Sequence, residues 1–111
     1  MSGARHRRKG NRAERAIVAF LRNRGFAAER IPLSGSADGS FIGDIKIPLL
    51  GRDFVAEVKV RGNGFSRLYR WLPDRDLLIV RADRREPLVI VPLKLAADIA
   101  AVAAHKKAQQ P

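Results

Sequence analysis

Between residues 11 and 25 the apolar positions recur with the period of a helix; between 41 and 60 they alternate with the period of a strand. Wound as a helix, the first segment gathers Ala13, Ala16, Ile17, Phe20 and Leu21 on one arc, with Arg12, Arg15 and Arg22 opposite. Asn11 supplies an N-cap and Gly25 a C-terminal stop. Glu14 does not join the arginines. It falls between Leu21 and Val18, at the edge of the apolar arc, where a carboxylate is out of place. Phe26–Ile31 predicts a short strand, and PLSGSADGS (32–40) a polar Gly/Ser-rich loop.

FIGDIKIPLL (41–50) and RDFVAEVKV (52–60) flank Gly51 and predict a β-hairpin. Pro48 cannot donate to a ladder, so it marks a strand end, a bulge or an edge. Alternation puts Phe54, Ala56, Val58 and Val60 on one face and Asp53, Val55, Glu57 and Lys59 on the other. RGNG (61–64) breaks the strand. FSRLYRWL (65–72) predicts a short helix with Phe65, Leu68, Tyr69 and Leu72 inward, ended by Pro73. LLIV (77–80) and LVIV (88–91) are apolar strands joined by the charged turn DRREP, and Pro92 introduces a closing helix over Leu93–Lys107. Leu95, Ala96, Ile99, Val102 and Ala103 form its stripe. The expected order is α-β-β-β-α-β-β-α, a mixed central sheet flanked by helices in one domain over 11–107, with a mobile basic arm at 1–10 and a tail at 108–111.

Charge changes this picture more than any other property. Twenty-two Lys and Arg against 11 Asp and Glu leave +11 on 111 residues, with a pI near 11.4. So basic a small domain is matched to a polyanion, nucleic acid first. The absence of cysteine excludes disulfides, zinc ribbons and thiol catalysis. No apolar stretch reaches the roughly 18 residues of a membrane helix, and none follows the basic N-terminus at signal-peptide spacing. The chain is expected to be cytoplasmic, with no membrane partner.

The acids Glu14, Asp44 and Glu57, with Lys59, are the candidate chemistry. Carboxylates gathered at a sheet face repel one another unless a cation joins them. Mg²⁺ takes one or two carboxylates plus waters and phosphate oxygens, and it can lower the pKa of a bound water. A neighbouring lysine stabilises the charge that builds on a phosphoryl group. Asp44 followed by Glu57-x-Lys59 on the paired strand thus supplies two ligands and an electrophilic helper for phosphodiester hydrolysis. The competing reading is a cross-strand salt-bridge set on a solvated face, in a protein that binds nucleic acid without cutting it.

RKGNRAERAIVAFLRNRGFAAER, then SGS, then GDI, then VAEVKV, over roughly residues 8–61, resembles the archaeal-type Holliday-junction resolvases (Hjc-like) of the PD-(D/E)XK nuclease superfamily. The resemblance implies a restriction-endonuclease-like core, a Mg²⁺-dependent endonuclease (Mn²⁺ a possible substitute), four-way DNA junctions as substrate and a homodimer. It assigns Glu14 as the helix-borne acid near the active site, Asp44, Glu57 and Glu14 as the metal ligands, and Lys59 as the catalytic lysine. Ser34 or Ser36 falls in the loop that contacts DNA near the cut, Ser36 being the candidate for a catalytic part. Gly43 stands where the superfamily name has proline, and the loop is longer, with Asp38 added. A nicking, repair or restriction-type nuclease of the same superfamily is the alternative. For backbone phosphates, Arg5, Arg7, Arg8, Lys9 and Arg12 are candidates, joined by Arg61, Arg67 and Arg70.

Overall fold

The computed structural model describes residues 2–31 and 44–109, with side chains for 9–31 and 44–107. Its elements are α1 (Ser2–Asn23), β1 (Glu29–Arg30), β2 (Ile45–Leu49), β3 (Arg52–Ala56), α2 (Ser66–Trp71), β4 (Leu78–Val80), β5 (Leu88–Ile90) and α3 (Leu93–Gln109). The chain divides into two compact units, residues 1–60 and 61–111, each described by itself. The described strands form two antiparallel sheets, β1-β2-β3 in the first unit and β4-β5 in the second. A single mixed sheet was expected; the pairs found are β1-β2 and two hairpins, whose short connections impose antiparallel pairing. Among the described residues no helix is long and apolar enough to cross a membrane.

In the first unit α1 begins at Ser2, well before the cap expected at Asn11, so residues 2–10 are helical and not an arm outside the helix. From 2 to 10 only Gly3 and Gly10 disfavour a helix, each at a cost of about 1 kcal/mol that a long helix absorbs. The C-terminal stop is where Gly25 puts it. The Phe26 amide donates to the Leu21 carbonyl and the Gly25 amide to the Arg22 carbonyl, each at 3.0 Å, with Gly25 at φ 93°. This is the paired C-terminal cap that a left-handed glycine makes possible.

The covered face of α1 is centred further toward Val18 than expected. Val18 and Leu21 are buried, Ala13, Glu14, Ile17 and Phe20 half-buried, and of the expected arc only Ala16 is exposed. Positions 14, 17, 18 and 21 are the i, i+3, i+4, i+7 stripe of one helical face. Glu14 therefore belongs to the covered face and is not merely at its edge. Ala28 and Ile45 complete this core, Ile45 with no exposed surface.

β2 and β3 form the expected hairpin, with Ile45 opposite Ala56 and Leu49 opposite Arg52. Its two-residue turn holds Leu50 at φ 55° and Gly51 at φ 83°. Positive φ at both central positions is the twist-matched hairpin turn that favours Asn-Gly. Gly51 suits it; Leu50 does not, because its Cβ crowds the carbonyl in the left-handed region. Leu50→Asn is expected to stabilise the protein by about 1 kcal/mol, raising Tm by a few degrees in a thermal melt. An unchanged or lower Tm would contradict the strain. Pro48 is tolerated in β2 because β1 pairs only with Lys46 and Ile45, so at Pro48 the strand has β3 alone beside it.

On the outer face Glu29 lies opposite Lys46, and their side chains meet at 2.7 Å. The lysine's hydrogen bond and charge hold the Glu29 carboxyl below its ordinary 4.5, while Glu29 raises Lys46 above 10.5. Glu29's contribution to stability is present above its unfolded pKa and is lost as pH falls through the lowered folded value. That of Lys46 is present below its unfolded pKa and is lost as pH rises through the raised one. The Tm difference between wild type and Glu29→Gln should therefore be level through neutral pH and shrink at both extremes. A difference that persists in strong acid would contradict the pairing.

In the second unit α2 has Leu68 half-buried, with Phe65 and Leu72 half-buried beside it, but Tyr69 is 76% exposed and Trp71 is exposed too. The expected inward place of Tyr69 is not found, since a six-residue helix covers only one narrow face. The β4-β5 register sets Leu78 against Ile90 and Ile79 against Val89. Leu78, Val80 and Ile90 are half-buried on one face, where Leu88 opposite Val80 is nonetheless exposed, and Ile79 and Val89 are exposed on the other. In α3 the covered positions are Leu95, Ala96, Ala97, Ala100, Ala103 and Ala104, so Leu95, Ala96 and Ala103 of the expected stripe are covered while Ile99 and Val102 are exposed.

Candidate active site

The E-x-K segment keeps its alternation past the last ladder residue. β3 ends at Ala56, yet exposure continues to alternate, with Glu57 and Lys59 exposed and Val58 and Val60 half-buried. The Val58 side chain thus secures the backbone that carries the two charges. Glu57 and Lys59 lie on the same side, their charged atoms 3.9 Å apart, and each is more than half exposed. So long an ion pair between solvated groups leaves both available to a third charged partner.

Asp44 sits where β2 opens toward β3. The pairing of Ile45 with Ala56 is the last of the ladder, and the next pair outward would be Asp44 with Glu57. There the regular exchange gives way. The Asp44 amide donates to the Ala56 carbonyl at 2.9 Å, and the Val58 amide donates to Asp44 Oδ2 at 2.6 Å. The aspartate side chain does the work of a backbone carbonyl and is held on the amide between Glu57 and Lys59. One oxygen is committed to that bond. The hairpin thereby brings together three of the four residues expected from the sequence.

Glu14 is placed differently. Arg30 donates from Nε to Glu14 Oε1 at 3.0 Å, its Nη2 lies 3.0 Å from the same oxygen, and Nη2 donates to Asn11 Oδ1 at 2.9 Å. Among the described residues no three acids, histidines or cysteines gather as a group able to hold a metal. Glu14 does not join Asp44 and Glu57 in such a group, the metal-ligand trio expected from the sequence; its carboxylate is bound by Arg30. Sequence reasoning missed Arg30 and Asn11. The one signal in the sequence is Glu14 itself, since a carboxylate on an apolar helical arc needs a base; that Arg30 supplies it follows from its pairing with the buried Ile45.

Asp44 and Glu57 fit a hard divalent cation, which needs only one or two protein carboxylates when water and phosphate oxygens complete its shell. Lys9 and Arg12 are exposed on α1; Arg5, Arg7 and Arg8 lie on the same helix, with side chains outside the described residues. In the second unit Arg61 is exposed ahead of α2, and Arg67 and Arg70 are exposed on it. Ser34 and Ser36 lie outside the described residues.

The family model of the archaeal Holliday junction resolvase (hjc) matches residues 5–70, more than half of the chain. The chain belongs to that family. No curated protein and no solved structure matches it. The match begins within α1 and runs through α2 almost to its end, so it spans every residue of the candidate site. Family membership carries a PD-(D/E)XK-like fold, the nuclease function of Holliday-junction resolvases in general, and DNA as the substrate. The mixture of helices with small sheets is compatible with that fold.

Proposed function

We propose that the protein is a divalent-cation-dependent, structure-selective endonuclease that resolves four-way DNA junctions as an intracellular homodimer. One observation carries this reading beyond family membership: the Asp44 carboxylate is fastened to the amide of Val58, between Glu57 and Lys59. That bond supports reading Asp44, just ahead of β2, and the E-x-K just past the end of β3 as one site.

Asp44 and Glu57 would hold Mg²⁺, or Mn²⁺ in its place, which when bound polarises the scissile phosphate and supplies a water of lowered pKa. Lys59, exposed beside Glu57, donates to a non-bridging phosphate oxygen as negative charge builds there. Glu14, held by Arg30, is the helix-borne acid of this site and stands apart from the two carboxylates that would bind the cation. The basic positions Arg5, Arg7, Arg8, Lys9, Arg12, Arg61, Arg67 and Arg70, with Ser34 and Ser36 of the loop, follow the phosphate backbone. Such contacts read shape and charge and carry little base sequence, which suits a junction-selective enzyme. Two copies paired about a two-fold axis would nick two strands of like polarity, as resolution requires.

The test is incubation of a labelled four-way junction with the protein in Mg²⁺, in Mn²⁺ or in EDTA. Cutting is expected with either cation and none with the chelator. Tight binding without cutting under every divalent cation would overturn the nuclease reading in favour of a binding protein.

A further inference from the structure

We propose that Arg30 is a positioning residue that fixes the carboxylate of Glu14 and ties the helix carrying it to the strand end carrying Asp44. Only the kinetic consequence rests on the nuclease reading above; the clamp itself rests on geometry.

Glu14 occupies the covered face of α1 with 15% of its side chain exposed, against 36% for Arg30. A carboxylate so placed has lost much of its hydration and needs a charged partner that can replace it. Arg30 grips Oε1 from two nitrogens and reaches Asn11, one helical turn earlier, with the second of them. A planar guanidinium held at residues three apart is fixed in angle as well as distance. A lysine ammonium, a point charge on a flexible stem, would supply the charge without the angle.

The backbone continues the argument. Arg30 is paired with Ile45, the most deeply buried residue of the first unit, so the root of the clamp is rigid. The following residue, Ile31, donates its amide to the Asp44 carbonyl at 3.0 Å. Two adjacent residues therefore hold the two acids, Glu14 through a side chain and Asp44 through the main chain. From Asp44 the connection passes by its carboxylate to Val58, flanked by Glu57 and Lys59. Each link is a hydrogen bond of 3.0 Å or less. Changing Arg30 should disturb the Glu14 end and leave the Asp44 end in place, because Ile31 uses only its backbone.

The experiment compares wild type with Arg30→Met, Arg30→Lys, Glu14→Gln and the Glu14→Gln/Arg30→Met double variant, each confirmed folded by its thermal melt. Proton–nitrogen NMR of the Arg30 Nε–H comes first. In wild type the signal should be resolved and slow to exchange; in Glu14→Gln it should shift and exchange faster. An Arg30 signal indifferent to Glu14→Gln would overturn the clamp whatever the enzyme does. Affinity for a four-way junction in EDTA should be the same for Arg30→Met as for wild type. Single-turnover cleavage should fall about 10- to 100-fold in Arg30→Met, the range for loss of a group that orients a site ligand. Arg30→Lys should recover only part of that. The double variant should be no slower than the slower single one. Losses that multiply, or a weakened junction affinity, would make Arg30 a phosphate contact acting on its own and refute the positioning role. Absence of cleavage by wild type would refute the nuclease reading, and the NMR result would then judge the clamp alone.

Discussion

Asp44→Asn is expected to reduce junction cleavage by at least about 10²- to 10³-fold, the scale seen when one electrostatic group of a transition state is lost. It should leave the fold intact. Asparagine keeps an oxygen that can accept the Val58 amide proton, so the bond now made at 2.6 Å survives in kind. What is lost is the negative charge that a divalent cation needs. DNA binding should be equal or tighter, because a charge that repels phosphate is gone. Asp44→Ala should differ in an instructive way. It removes the acceptor as well, leaving a part-buried amide unpaired at a cost of about 1–3 kcal/mol. Cleavage rate, junction affinity and Tm measured on both variants separate these effects. An Asp44→Asn protein that binds DNA more weakly would count against a cation at this position.

Lys59→Met should cost about 10²-fold or more in the single-turnover rate, with little change in junction affinity. The side chain is more than half exposed and its one described ion-pair partner, Glu57, lies 3.9 Å away. It contributes little to stability, so Tm should hardly move. Lys59→Arg should not restore the rate, since a guanidinium presents a broad fork where an ammonium presents a compact point charge. Equal activity of the lysine and arginine forms would reduce Lys59 to a general attraction for DNA.

How much of this was written in the sequence differs from one element to the next, for physical reasons. The β2-β3 hairpin is legible from the alternation on both sides of Gly51, whereas its register, with Ile45 opposite Ala56, comes from the structure. The alternation also held for Glu57 and Lys59 beyond the ladder, since exposure follows the pleat even where pairing stops. Gly25 was legible as a stop because no other residue enters the left-handed region so cheaply. Leu50 was not, because the turn geometry comes from the strands' twist and overrides what leucine prefers.

Less could be read where the outcome depends on what packs against an element. The apolar arc of α1 was drawn too far toward Ala16, since alanine is compatible with either face and does not orient a helix. In α3 the bulk of Ile99 and Val102 invites an inward placement, whereas the covered face is Leu95 with five alanines. At the site, the pairing of Asp44 with the E-x-K strand was foreseen as permitted, but its form was not. A carboxylate standing in for a carbonyl on Val58 has no sequence signature. Glu14 stands out in the sequence as misplaced, whereas Arg30 as its counterpart does not, because arginines are so numerous in this chain.

The central claim is that one site built on Asp44, Glu57 and Lys59 cuts branched DNA selectively. Its most direct test is parallel single-turnover digestion, in Mg²⁺, of a four-way junction and of a linear duplex with the same arm sequence. The account predicts paired, symmetric nicks in the junction, an intact duplex, and loss of both nicks in Glu57→Ala. Equal rates on junction and duplex, or nicks that persist in Glu57→Ala, would contradict it.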